Sequence, residues 1–252
     1  MFRKIKNYIK VKFKSTYYNL YKRLGSEFVY SAYGIKFKKN WSDKTFVFYI
    51  KGLYGNYLRN HILSQKKPFI FMDIGANQGL YSIVAGKSKN CTHTYAFEPV
   101  REIYKLCVEN VVKNKVFDKV DVIPSAISDV NEFLEINITE GHSGKASLRD
   151  YADDTYFEYV SSVNHESLSK MIKCETRMVV KIDVEGHEEV VIDELFKATF
   201  ASKIDTLFFE VDERHLSIDK VTEFLKEKGF KEFIKIDNND RNTFHYDILA
   251  LK

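Results

Sequence analysis

From Pro68 onward, short apolar runs alternate with longer stretches of helical period, and no other feature of the chain restricts its fold as much. Parallel strands need a crossover connection, most often a helix, so this alternation implies βαβ units around a mostly parallel sheet. The runs Phe69 to Ile74, Thr94 to Phe97, Lys119 to Pro124, Met178 to Val184 and Ile204 to Val211 read as strands. Helical stretches fall at Gly79 to Ser88, Arg101 to Asn114, His187 to Phe196 and Ile218 to Lys228. Phe230 to Ile236 and Phe244 to Leu251 have no crossover between them, which predicts an antiparallel hairpin at the sheet edge. Phe133 to Ile138 reads as an extra strand, and residues 140 to 166 as a long irregular loop of the kind that is usually functional or disordered.

Residues 1 to 68 form a different region. Phe2, Ile5, Ile9, Phe13, Leu20 and Leu24 recur mostly at helical steps among lysines, predicting a basic amphipathic helix that either lies on an anionic membrane surface or packs on its own domain. Phe28 to Phe37 and Thr45 to Ile50, around Trp41-Ser42-Asp43, are aromatic and β-branched and read as a hairpin or small sheet forming a lid or edge.

Eleven Lys/Arg stand against one acid over residues 1 to 39, an excess of +10, so with a total of +4 the remainder is mildly acidic at −6. That distribution disfavours a nucleic-acid groove in the main domain. Three widely spaced cysteines form no CxxC or Cys/His cluster, so neither a zinc site nor a disulfide framework is expected and a reducing cytoplasm is the simplest context. No run approaches the roughly 20 apolar residues that span a bilayer, and the N-terminus lacks the apolar core of a secretory signal.

The first strand runs into Asp73-Ile74-Gly75-Ala76-Asn77-Gln78-Gly79 and then a helix. Glycines there let backbone approach a ligand at the carboxyl end of a strand, while the missing GxGxxG and GKS/GKT patterns argue against a pyrophosphate. Asp73 can accept charge-assisted hydrogen bonds from an ammonium group, such as the amino-acid end of S-adenosylmethionine. Glu98, nineteen residues after Gly79 at the next strand end, suits both hydroxyls of a ribose. Pro99 turns the chain, and Ser125-Ala126-Ile127 can flank an adenine ring.

Together DIGANQGLYS, AFEP, PSAISD and KIDVEGHE resemble the FkbM family of S-adenosylmethionine-dependent methyltransferases, over about Phe69 to Lys252. The resemblance implies a doubly wound, seven-stranded class I (Rossmann-like) sheet, a methyl donor held by Asp73, Gly75, Asn77, Gly79 and Glu98, and O-methylation of carbohydrates or natural products. Val160 to Ile172 departs from the family pattern, carrying His165 and Glu166 where Thr-Leu-Asp is commoner.

Alternation along Met178 to Val184 places Lys181, Asp183 and Glu185 on one side, with the two acids toward the ligand crevice. Glu210 ends the neighbouring strand and His187 opens the helix after Gly186. Methyl transfer to an alcohol needs its proton removed as the bond forms, so Asp183 or His187 is the candidate base, with Glu185 and Glu210 orienting it or the acceptor. A Lys181–Glu185 ion pair is the structural alternative. Mg²⁺ on Asp183, Glu185 or Glu210 is a less favoured arrangement. The expected acceptor is a sugar, glycan precursor or similar small molecule, stacked on Tyr151, Tyr156, Phe157 and Tyr159. An RNA methyltransferase and a non-catalytic binding module are the competing readings.

Overall fold

The computed structural model describes residues 25–148, 155–236 and 244–252. The predicted helix from Phe2 to Leu24 lies outside them, as does Tyr151. Among the described residues no helix is long and apolar enough to cross a membrane.

A short antiparallel hairpin, β1 (Phe28–Tyr30) and β2 (Lys36–Lys38), leads into helices α1 (Lys44–Lys51) and α2 (Asn56–Ser64). The main unit then runs β3 (Phe69–Ile74), α3 (Leu80–Lys87), β4 (Cys91–Phe97), α4 (Arg101–Lys113) and β5 (Val120–Ile123). A side sheet follows, of β6 (Ala126–Ile127), β7 (Phe133–Thr139) and β8 (Thr155–Val163). The chain continues through α5 (His165–Met171), β9 (Arg177–Ile182), α6 (Glu188–Lys197), β10 (Ile204–Asp212), α7 (Ile218–Glu227), β11 (Glu232–Ile236) and β12 (His245–Leu251).

The seven-stranded sheet has the order β11-β12-β10-β9-β3-β4-β5, parallel from β10 to β5 with β12 and β11 antiparallel at the far edge. This is the expected doubly wound architecture, and the predicted terminal hairpin is the β11–β12 pair. Strand order reverses between β3 and β9, which opens a crevice at their carboxyl ends. One apolar layer, including Met72, Val180, Leu195 and Phe209, fills one face of the sheet. The other face is shared by Phe69, Phe71 and Leu80 with Val29, Phe37, Phe46, Leu58 and Ile62, so the region before Pro68 packs into the same core as the sheet.

Three expectations are corrected. Thr45 to Ile50 is helical: its composition favours a strand, but Asp43 caps the Phe46 N–H at 2.8 Å, Gly52 ends the helix at φ 66°, and Thr45, Phe46, Tyr49 and Ile50 bury one face. Residues 140 to 166 are not one irregular loop, because Thr155–Val163 pairs with Phe133–Thr139 and His165–Met171 is a helix capped by Asn164. The strand at Met178 ends at Ile182, so Asp183 and Glu185 follow it in a turn where Glu185 has a left-handed φ of 55°.

Candidate active site

At the carboxyl ends of β3, β4, β9 and β10 lies a cleft of about 860 Å³. Of the predicted donor-binding residues, Gly75, Asn77, Glu98, Pro99, Ser125 and Ala126 line it, while Asp73, Ala76 and Gly79 do not. Asp73 is fully buried behind the turn, where Oδ2 accepts from Ser82 Oγ at 2.5 Å and Oδ1 stands 3.5 Å from Lys181 Nζ. Gly79 turns toward α4 instead, since a Cβ there would come 2.9 Å from Cys107 Sγ.

Gly75 has φ 74°, and a side chain on it would overlap the carbonyl oxygen of Asp183. The backbone N–H groups of Gly75 and Ala76 both donate to Phe97 O, at 3.0 and 2.9 Å, which locks the turn to the end of β4. Glu98 accepts from Asn77 N at 2.8 Å and Val100 N at 3.0 Å. Burial pushes its carboxyl up to about 7 against those two bonds.

A buried charge network forms the floor of the cleft. Lys181 is 2 % exposed and donates to Gly75 O at 2.6 Å and Ile74 O at 3.2 Å, with Asp183 Oδ2 at 3.3 Å. Burial disfavours its charge, but Asp183 and Asp73 outweigh burial and hold the ammonium above its ordinary range. The ion pair considered with Glu185 is replaced by these two aspartates. Tyr54 Oη donates to Asp183 Oδ2 at 3.1 Å, a contact from the region before the main sheet that sequence reasoning missed. The flanking Gly55, at φ 79°, gives the Tyr81 hydroxyl room where any side chain would collide with it, and that packing seats Tyr54.

Asp183, Glu185 and Glu210 come together, each offering an oxygen within 4.8 Å of the others. The Glu185 backbone carbonyl accepts from Ser147 Oγ at 2.7 Å, and its carboxylate has no hydrogen-bond or ion-pair partner among the described residues. Burial, then the charges of Glu210, Asp183 and Glu188, raise its carboxyl well above the usual range. Glu210 Oε1 lies 2.6 Å from His245 Nε2. That bond holds His245 above its ordinary value, while burial and Asp183 raise Glu210. Glu188, buried at the start of α6, accepts from Val184 N and Gly186 N and so fixes the turn that presents Glu185. His187 lines the cleft and lies 3.1 Å from Ser128 Oγ.

The described members of the predicted aromatic platform are not in the cleft. Tyr156, Phe157 and Tyr159 are exposed on β8 and none is among the lining residues, whereas Phe48, Tyr49, Leu53 and Tyr54 of the α1–α2 region form one wall. His142 and His215 line the cleft, and His165 instead pairs with Glu194 at 2.8 Å.

Sheet order, crevice and strand-to-helix turn define a class I, Rossmann-like methyltransferase fold. The profile of the methyltransferase FkbM domain matches residues 73–232, and the chain belongs to that family of S-adenosylmethionine-dependent methyltransferases. Among solved structures it is similar to M. jannaschii TYW2 in complex with AdoMet, at 12 % identity and TM-score 0.51, covering 90 % of this chain and 85 % of that one. It also matches precorrin-6y C5,15-methyltransferase from Geobacter metallireducens GS-15, at 16 % identity and TM-score 0.42, covering 78 % and 86 %. No curated protein matches the sequence.

Proposed function

We propose that the chain binds S-adenosylmethionine in this cleft and transfers its methyl group to a hydroxyl of a sugar, glycan precursor or related small molecule. Glu98 accepts the two ribose hydroxyls, Gly75 and Asn77 bring backbone against the donor, and Ser125 and Ala126 border the adenine. Asp73 acts from behind the turn, through Lys181 and Ser82, instead of touching the donor directly.

The observation that carries the hydroxyl reading is the Glu185 carboxylate, which lines the cleft beside Asp183 and Glu210 without a hydrogen-bond or ion-pair partner among the described residues. An alcohol is a poor nucleophile until a base takes its proton, and a base works best with a proton affinity near the operating pH. Burial among like charges moves Glu185 in that direction. Asp183 Oδ2 is engaged by both Tyr54 and Lys181, so Asp183 serves to orient the acceptor. In the step itself the acceptor oxygen attacks the methyl carbon, the sulfonium leaves as a neutral thioether, and the hydroxyl proton passes to Glu185. His187 and the Glu210–His245 pair border the acceptor. Phe48 and Leu53 supply an apolar rim on which one face of a sugar can stack.

A divalent cation fits the three acids less well than their spacing suggests. Lys181 already balances Asp183 and His245 already balances Glu210, so two of three ligands have cations beside them.

The test is methyl transfer from isotope-labelled donor into a panel of free sugars, nucleotide-linked sugars and bulk tRNA. Label in a sugar fraction, retained in EDTA, supports the proposal. Label in tRNA alone overturns it.

A further inference from the structure

From outside the family-matched segment, the carboxylate of Asp43 reaches the cofactor turn. An N-capping residue needs a single acceptor for its helix, and Asp43 meets that need with Oδ1 and the Phe46 N–H. The same oxygen also accepts from Gln78 Nε2 at 3.1 Å, and Oδ2 accepts from the Ser143 N–H at 2.7 Å. Asp43 is only 5 % exposed, so these charge-assisted bonds are made away from water, where losing them costs most.

Both distant partners lead to the donor site. Gln78 follows Asn77, whose backbone N–H holds Glu98 Oε2. Ser143 Oγ bonds the Asn77 side chain, 3.1 Å from Nδ2 and 3.2 Å from Oδ1. Ser143 belongs to the segment 139–148, much of which walls the cleft. The start of α1 is joined to that segment at two further points, Lys44 N to Gly141 O at 3.0 Å and Gly144 N to Thr45 Oγ1 at 3.0 Å. A side chain on Gly144 would press to 2.8 Å from Thr45 Oγ1, so the approach is close by design of the sequence.

We propose that Asp43 is a positioning residue of the donor site: it holds the Asn77–Gln78 turn in shape for Glu98 and ties donor occupancy to segment 139–148. The proposal rests on the donor reading above. A ligand that engages Glu98 and the turn then steadies Ser143 and its neighbours, and by linkage a steadied segment strengthens donor binding.

Asp43→Ser separates this role from plain helix capping. A serine hydroxyl caps α1 but is too short to reach Gln78 and Ser143 together. Calorimetric titration of S-adenosylhomocysteine into the full chain, at a temperature where both proteins are fully folded, should show binding weakened roughly tenfold or more in Asp43→Ser. Hydrogen exchange of 139–148 should slow on adding S-adenosylhomocysteine to wild type and not in the variant. If Asp43→Ser does not fold, Asp43→Asn keeps the capping oxygen but faces Ser143 N–H with a donor, and weakened binding is again expected. Equal affinity and equal protection in the folded variant overturn the proposal and leave Asp43 a cap. Absence of binding to wild type overturns the donor reading and this inference with it.

Discussion

The carbonyl oxygen of Asp183 occupies the space that a side chain on Gly75 would need, so the turns after β3 and β9 meet backbone to backbone at the strand-order reversal. Gly75→Ala must therefore push the two turns apart while also adopting an unfavourable positive φ. The variant should lose at least about 2 kcal/mol in urea unfolding and all measurable binding of S-adenosylhomocysteine. An unchanged urea midpoint would contradict the contact.

Glu98 predicts a pH dependence of donor affinity. Burial holds its carboxyl near 7, and the ionised form is the one that accepts two ribose hydroxyls. Affinity for S-adenosylhomocysteine should be level above about pH 7.5 and fall by up to about tenfold per unit below 7, because binding must then release a proton. Titrations near pH 6 in buffers of different ionisation enthalpy should report that release. Glu98→Gln should bind weakly at every pH.

Glu185 predicts the pH dependence of turnover. Its raised proton affinity places the rise of activity above the ordinary carboxylate range, with activity gained as pH increases and the group ionises. Glu185→Gln should lower turnover by roughly 10² to 10⁴ and abolish that limb, leaving S-adenosylhomocysteine affinity unchanged. The best acceptor from the labelled-donor panel provides the assay, and a Glu185→Gln enzyme with the wild-type profile would remove Glu185 from the role.

Lys181 carries stability as well as geometry. Lys181→Met leaves Asp73 and Asp183 beside each other without the buried cation, which should cost about 3–5 kcal/mol in chemical unfolding. Adding Asp73→Asn should recover part of the loss, and a variant as stable as wild type would show the network to be dispensable.

Much of the architecture was legible because its signals are local. The buried strands are built around short apolar runs, Phe69 to Met72 and Leu207 to Phe209, and the Asp73 to Gly79 turn carries its glycines in sequence. The helix at Lys44 is masked in the sequence because Thr, Val, Phe, Tyr and Ile favour strands, although Asp43 and Gly52 mark both helix ends. Strand Thr155–Val163 was hidden because its aromatics Phe157 and Tyr159 face outward and erase the expected alternation. In the site, acids at strand ends could be read from spacing, which is how Glu98, Asp183 and Glu210 were found. Tyr54 could not, since its contact with Asp183 spans 129 residues and depends on how α1 and α2 pack against the sheet.

The central claim is that this cleft holds the methyl donor through Glu98, and calorimetric titration of S-adenosylhomocysteine into wild type and Glu98→Ala tests it most directly. The account predicts micromolar-range binding to wild type, on the order of −8 kcal/mol, and a loss of at least about tenfold in the variant. A well-folded wild-type protein that takes up no S-adenosylhomocysteine, or a Glu98→Ala variant that binds it equally well, would contradict the account.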